Sequence, residues 1–247
     1  MSPPSDLALI ILAGGSGSRM GDASDDKILH PIAGQPLFSH LWQRLREIPS
    51  PLTRVIVFRD ESQKEKLLPI TAESIDPILW VPGGAERQDS VYAGLQALPP
   101  QTRLVAIHDA ARPLFPLSVL PELWGKASHC GAAVAAHRVV DTIKRVTSPN
   151  PLCTPVGVED LPRHHLWAME TPQVFSYPKI LSRYHVIIQS GCRITDDLGA
   201  WQHHGDPVHL VENPHPNPKI TSPADFAILS ALINEKEGTQ ESGAGIR

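Results

Sequence analysis

The sequence is short of the features that mark several common functions. Only three of its 247 residues are cysteines, Cys130, Cys153 and Cys192, widely spaced and without a CxxC pair. That pattern points away from zinc ribbons and disulfide frameworks and toward free thiols in a reducing compartment. A basic surplus is also missing: 22 Lys and Arg stand against 26 Asp and Glu, a formal net charge of -4. Proteins that grip a nucleic-acid backbone carry the opposite balance. A small anionic ligand is not excluded, because it needs only a few local cations. No apolar run is long enough to cross a bilayer, and the opening MSPPSDLALIILAGG lacks the basic flank of a signal peptide. The expectation is a cytoplasmic protein with neither membrane nor nucleic acid as partner. The 12 histidines include no HExxH. The pairs His164-His165 and His203-His204 point to opposite sides of a strand, or about 100° apart on a helix, so neither makes a two-ligand face.

What is present is alternation. Leu7–Leu12, Arg54–Phe58, Ile78–Val81, Leu104–His108 and Gly131–Ala136 read as short apolar strands. Between them, Leu37–Glu47, Glu61–Leu68, Gln88–Leu98 and Leu117–His129 read as helices. Such βαβ repetition predicts an α/β fold, a mostly parallel sheet with helices on both faces. The 25 prolines are scattered as loop punctuation. Periodicity fails over 139–165, VVDTIKRVTSPNPLCTPVGVEDLPRHH, which suits a hairpin or projecting arm. It resumes at Tyr177–Gln189, Asp196–His203, Val208–Val211 and Pro223–Ile233. We therefore expect one domain over 1–233 and a flexible polar tail over 234–247.

In an open α/β sheet, ligands bind beyond the carboxyl ends of the strands. After the first strand comes LAGGSGSRMG, residues 12–21, which matches neither the dinucleotide fingerprint nor the P-loop. Its backbone N–H groups still suit an anion nest, with Arg19 and Lys27 adding positive charge. After Ile78–Val81 comes PGGAERQDS, a second glycine turn that opens a helix and brings Ser90 with it. After Leu104–His108 comes DAARP, with Asp109 and Arg112 at a strand end, and a carboxylate there suits Mg²⁺. Taken singly, glycine turns are ordinary connections, Asp109 is a capping residue and Arg112 its surface partner. Together they equip the sheet edge for a nucleoside triphosphate. No nucleophile triad or thiolate accompanies them.

These stretches, with DTIKRV, WAMETPQVF, GCRITDD and NPKITSP in that order, resemble the 2-C-methyl-D-erythritol 4-phosphate cytidylyltransferases of the non-mevalonate isoprenoid route. The resemblance runs from Leu9 to about Leu229. It implies a Rossmann-like nucleotidyltransferase fold with a projecting β-arm over 139–165 for homodimerisation. It also implies Mg²⁺-assisted transfer of CMP from CTP to the methylerythritol phosphate, without a covalent intermediate. Carried over by position, Ala13, Gly14, Gly15 and Gly17 contact the CTP, and Arg19 and Lys27 hold its triphosphate. Gly84 and Ser90, with Arg87 nearby, read the cytosine edge, and Asp109 binds the metal. Arg112, Thr171, Thr195 and Lys219 line the sugar-phosphate site, with Lys219 also facing the reacting phosphates. Thr142 and Arg163 reach from the arm into a second subunit.

The sequence also departs from that pattern. Asp26-Lys27-Ile28 stands where Pro-Lys-Gln is usual, Ala85 where an acidic residue is usual, and Asp197 where glutamate is common. GDASDD, just before Lys27, places three aspartates near the expected triphosphate, a charge that must turn outward or help hold metal. Two sibling enzymes remain as alternatives, a ribitol-5-phosphate cytidylyltransferase and a molybdopterin nucleotidyltransferase, because their first loops read much like LAGGSGSRMG. HDAARP with DTIKR argues against the first, and HDAARP with TPQ against the second. A non-catalytic nucleotide-binding regulatory protein is the reading from a different class.

Overall fold

The computed structural model describes residues 6–15, 26–146, 156–203 and 205–243. Strand β1, Leu7–Leu12, lies inside a seven-stranded sheet, with strands paired to both of its edges. Alternate residues of LALIIL enter two separate cores. Leu7, Leu9 and Ile11 face one side, Ala8 and Ile10 the other. A strand buried on both faces has no polar position to offer, which is why the stretch reads as a continuous apolar run.

The neighbours of β1 are β4 (Thr53–Phe58) and β6 (Leu104–Asp109), both parallel to it, with β5 (Ile78–Pro82) parallel beyond β4. On the far side of β6 lies β10, Trp167–Ser176, antiparallel to β6 and to β7 (Ala132–Arg138). Strand β11, His209–Glu212, closes that edge in parallel with β7. The order is thus β11-β7-β10-β6-β1-β4-β5, mostly parallel as expected. WAMETPQVF was not foreseen as a strand, since Glu170, Thr171 and Gln173 interrupt its apolar run, yet all three are buried.

One core packs β1 against α1 (Leu37–Arg46), α4 (Leu120–Cys130) and the start of α7 (Pro223–Gly243). The other packs α3 (Arg87–Gln96), α5 (Tyr177–Ser190) and α6 (Asp197–Gln202). Helix α2, Glu61–Thr71, starts on Asp60, whose side chain accepts the Gln63 N–H. Helix α7 continues past Ile233 to Gly243, where the composition led us to expect a frayed tail. Glu, Lys and Gln extend a helix cheaply once its first turns are packed. Among the described residues no helix is long and apolar enough to cross a membrane.

The 139–165 segment carries a two-stranded ribbon of β8 (Lys144–Val146) and β9 (Val158–Asp160), in addition to the short β2 (Pro31–Ile32) and β3 (Gln35–Pro36) pair elsewhere. Lys144 pairs with Asp160 and Arg145 with Glu159 across the ribbon. Residues 147–155, Cys153 among them, lie outside the described residues. Cys130 and Cys192 are free and exposed.

Gly131 ends α4 at φ +91°, and a Cβ there would stand 2.8 Å from the ring of Trp201. Trp201 is fully buried, with the Arg183 guanidinium 3.9 Å from its ring centroid. We predict that Gly131→Ala lowers stability by about 2–4 kcal/mol, from left-handed backbone strain plus overpacking. A denaturation midpoint matching the unaltered protein would show that Trp201 yields freely.

Candidate active site

The parallel strands all end on one edge of the sheet, and a cavity of about 400 Å³ opens there. The turn after β1 supplies its first wall: Ala13, Gly14 and Gly15 line it. The Ala13 N–H donates to Val57 O at 2.8 Å, so β4 fixes where the turn begins. A Cβ on Gly14 would meet the Phe58 and Arg59 backbone at 3.3 Å, a close approach that favours glycine. Lys27 also lines the cavity, and a Cβ on Gly15 would lie 4.0 Å from its Nζ. Gly17 and Arg19 fall outside the described residues.

The second glycine turn, after β5, also lines the cavity. Gly83 donates its N–H to Phe58 O at 2.7 Å. A Cβ on Gly84 would stand 2.3 Å from that of Asp89, so any larger residue displaces the start of α3. Gly84 N–H donates to Ser90 Oγ at 3.1 Å, and that hydroxyl donates to Glu86 O at 3.2 Å. Glu86 and Asp89 complete a capping box. These bonds hold the turn from within, and Ala85 lines the cavity beside them.

A chain of charges adjoins both turns. Asp109, the last residue of β6, accepts from Lys219 Nζ at 2.7 Å on one oxygen and from Arg87 Nε at 3.2 Å on the other. Arg87 in turn donates from Nη1 and Nη2 to the two oxygens of Asp197, each at 2.8 Å. Burial works to raise the Asp109 carboxyl, but Arg87 and Lys219 override it and hold the group well below the usual carboxylate range. Burial likewise works to lower Arg87, and the carboxylates of Asp197 and Asp109 instead raise it well above its ordinary value. Asp197 is completely buried and also accepts from the Tyr184 hydroxyl at 2.5 Å. Burial first, then that carboxylate, pushes the Tyr184 phenol well above its ordinary value.

The remaining expected residues are placed differently. Thr171 is buried behind Asp109, its hydroxyl accepting the Asp109 N–H at 3.2 Å and lying 3.0 Å from His108 Nδ1. Burial lowers His108 to about 4, so a neutral ring bridges Thr171 and the Arg112 carbonyl at neutral pH. Arg112 donates to Asn217 O at 2.7 Å and fixes the segment that delivers Lys219. Thr195 is exposed on the loop before α6. Thr142 and Arg163 are exposed on the 139–165 segment and do not line this cavity, and Arg163 donates to Val140 O at 2.7 Å.

Two partners were not legible beforehand. In the sequence Asp197 stands out only as a shorter residue where glutamate is common, and nothing there ties it to Arg87. Glu170 is buried and accepts from His137 Nδ1 at 2.6 Å, Asn213 Nδ2 at 2.9 Å and Asn217 Nδ2 at 2.8 Å. Polar residues inside otherwise apolar stretches were the one available signal for it.

Among the described residues no three His, Cys, Asp or Glu side chains gather as a metal cluster. The donor set is a single ionised carboxylate, Asp109, facing a roomy cavity. That fits a Mg²⁺ ion sharing its coordination with substrate phosphates, and does not fit an all-protein cage.

The chain was compared with known proteins. A sequence model of the 2-C-methyl-D-erythritol 4-phosphate cytidylyltransferase family matches residues 7–235. Curated proteins of that name from Prochlorococcus marinus and Pelotomaculum thermopropionicum are 37% and 35% identical, covering 92% and 97% of this chain and 98% and 99% of theirs. The fold is that of the 4-diphosphocytidyl-2C-methyl-D-erythritol synthase from Anaerococcus prevotii, with a TM-score of 0.79 at 24% identity over 92% of this chain and 96% of that one. With the glycine turns, Asp109 and Lys219 meeting at one sheet edge, the chain belongs to the 2-C-methyl-D-erythritol 4-phosphate cytidylyltransferase family.

Proposed function

We propose that the protein transfers CMP from CTP to 2-C-methyl-D-erythritol 4-phosphate. One observation carries the reading in a chain of this family: a low-pKa carboxylate, Asp109, flanked by Lys219 and Arg87 beside two glycine turns. A phosphate oxygen of the acceptor attacks the α-phosphorus of CTP in line. The bond to the β-phosphate oxygen breaks, and pyrophosphate leaves with that electron pair. Such transfers are catalysed chiefly by alignment and charge stabilisation.

Ala13, Gly14 and Gly15 supply backbone donors to the nucleotide, as Gly17 does in this reading. Lys27, Lys219 and Arg19 face the triphosphate, with Lys219 nearest the reacting centre. Gly84 and Ser90 present a fixed backbone edge to the base, with Arg87 behind it. Arg112 and Thr171 act through what they hold, the Lys219 segment and Asp109, while Thr195 closes the acceptor side. Asp109 would hold Mg²⁺, which when bound neutralises part of the phosphate charge. Thr142 and Arg163 complete the acceptor site from the arm of a second subunit in a homodimer. Supporting this, they are exposed and outside the cavity here, and Val140 (78% exposed) and Val158 (58%) present apolar surface on the same arm. We assign the protein to the cytoplasm.

The test is pyrophosphate release with CTP, Mg²⁺ and each candidate acceptor. Release is expected with methylerythritol phosphate. Release only with ribitol 5-phosphate would overturn the acceptor, and CTP binding without release would overturn the enzymatic reading.

A further inference from the structure

The turn that carries Lys27 is fixed from beneath by buried polar groups. Asp26 closes it: its Oδ1 accepts the Ile28 N–H at 3.3 Å, and its carbonyl accepts the Leu29 N–H at 2.8 Å. The other carboxylate oxygen accepts from Gln63 Nε2 at 2.5 Å and faces Arg59 Nη2 at 3.4 Å. The same Gln63 nitrogen donates to Ala13 O at 3.1 Å, while its Oε1 accepts the Arg59 N–H at 2.7 Å. Three segments thus meet on two side chains: the first glycine turn, the Lys27 turn and the β4–α2 junction.

This arrangement answers part of the question raised by the acidic run before Lys27. A carboxylate open to the cavity would repel a triphosphate. That of Asp26 is only 6% exposed and is offset by Arg59, and Gln63 is 1% exposed. Neither side chain has surface with which to touch a ligand. Both instead fix atoms that do line the cavity, Lys27 and Ala13. A carboxylate with every oxygen occupied in a water-poor site is a stiff anchor.

We propose that Asp26 and Gln63 are positioning residues for Lys27, forming a buried carboxylate–carboxamide latch under its turn. The inference rests on the functional reading above. Loss of alignment by about an ångström can cost roughly a hundredfold in rate, so Asp26→Ala is expected to lower kcat roughly ten- to hundredfold. The discriminating measurement is a double-mutant cycle with Lys27→Ala. If Asp26 acts through Lys27, Asp26→Ala adds less than about twofold once Lys27 is gone, whereas a general loss of structure adds in full. Asp26→Asn, which keeps an acceptor for Gln63, is expected to recover most of the rate. Gln63→Leu, which keeps the shape without the hydrogen bonds, is expected to behave like Asp26→Ala and serves if that variant fails to fold. Additive effects, or an Asp26→Ala rate within about twofold of the unaltered enzyme, overturn the latch. The same cycle is run on CTP affinity by calorimetry. Absence of turnover in the unaltered protein overturns the functional reading alone, and the affinity cycle then decides the latch.

Discussion

Lys219→Ala is expected to cut turnover by about a hundredfold while the protein folds normally. The side chain is 35% exposed and its ammonium sits 2.7 Å from Asp109, so its removal leaves no cavity in the core. On the proposed mechanism, what is lost is a fixed positive charge where negative charge builds on the α-phosphate. Removing one such preorganised donor costs about 3 kcal/mol elsewhere, roughly a hundredfold in rate. A second consequence follows from the charge chain. Lys219 is one of the cations that hold Asp109 below the usual carboxylate range, and Arg87 and Arg112, which act in the same direction, stay in place. Asp109 therefore remains ionised in the variant, and the defect belongs in kcat more than in metal requirement. Steady-state kinetics at several Mg²⁺ concentrations separate the two. Near-normal turnover by a folded Lys219→Ala protein would remove Lys219 from the reacting centre.

The largest expected loss of stability comes from the opposite end of the sheet. Arg54, at the start of β4, and Asp76, just before β5, form an ion pair with side chains 4% and 6% exposed. Asp76 also accepts from Ser50 Oγ, and Arg54 donates to Leu45 O at 3.3 Å. Burial lowers the Arg54 pKa, a sign of how much desolvation its charge has undergone. Asp76→Ala strands that charge, and breaking a buried pair in this way costs about 3–5 kcal/mol. The paired change Arg54→Met with Asp76→Leu removes both charges and is expected to recover most of the loss, because an apolar pair of similar volume carries no desolvation penalty. Chemical denaturation of the three proteins is the measurement. An Asp76→Ala midpoint equal to that of the unaltered protein would mean that water reaches Arg54. Turnover should be unaffected throughout, since neither residue approaches the catalytic edge.

The alternation of apolar runs with amphipathic segments was enough to read most of the sheet and its flanking helices, because burial on both faces of a parallel strand leaves a continuous signal. Chemistry at strand ends was legible for the same reason. Once a strand is located, the residues after it are known to lie at one edge, and this places Gly14, Gly84 and Asp109 together from the sequence alone. Strand β10 was harder, since Glu170, Thr171 and Gln173 look like loop residues until their buried partners are known. Arg54 gave no sign either, because an arginine at a strand start is ordinarily a surface residue.

By itself the sequence determined the α/β class, the two glycine turns, the strand-end carboxylate and, through ordered motifs, the family. These depend on local backbone needs and on periodicity, both written within short stretches. Only the tertiary structure decided which charges meet. Arg87 finds Asp197 and Lys219 finds Asp109, each pair 110 residues apart. Asp26 turns inward to Gln63 rather than into the cavity. Such pairings arise because the sheet order brings distant strand ends together and burial makes an unpartnered charge too costly to keep. Neither the order nor the burial of one side chain is encoded in its neighbours along the chain.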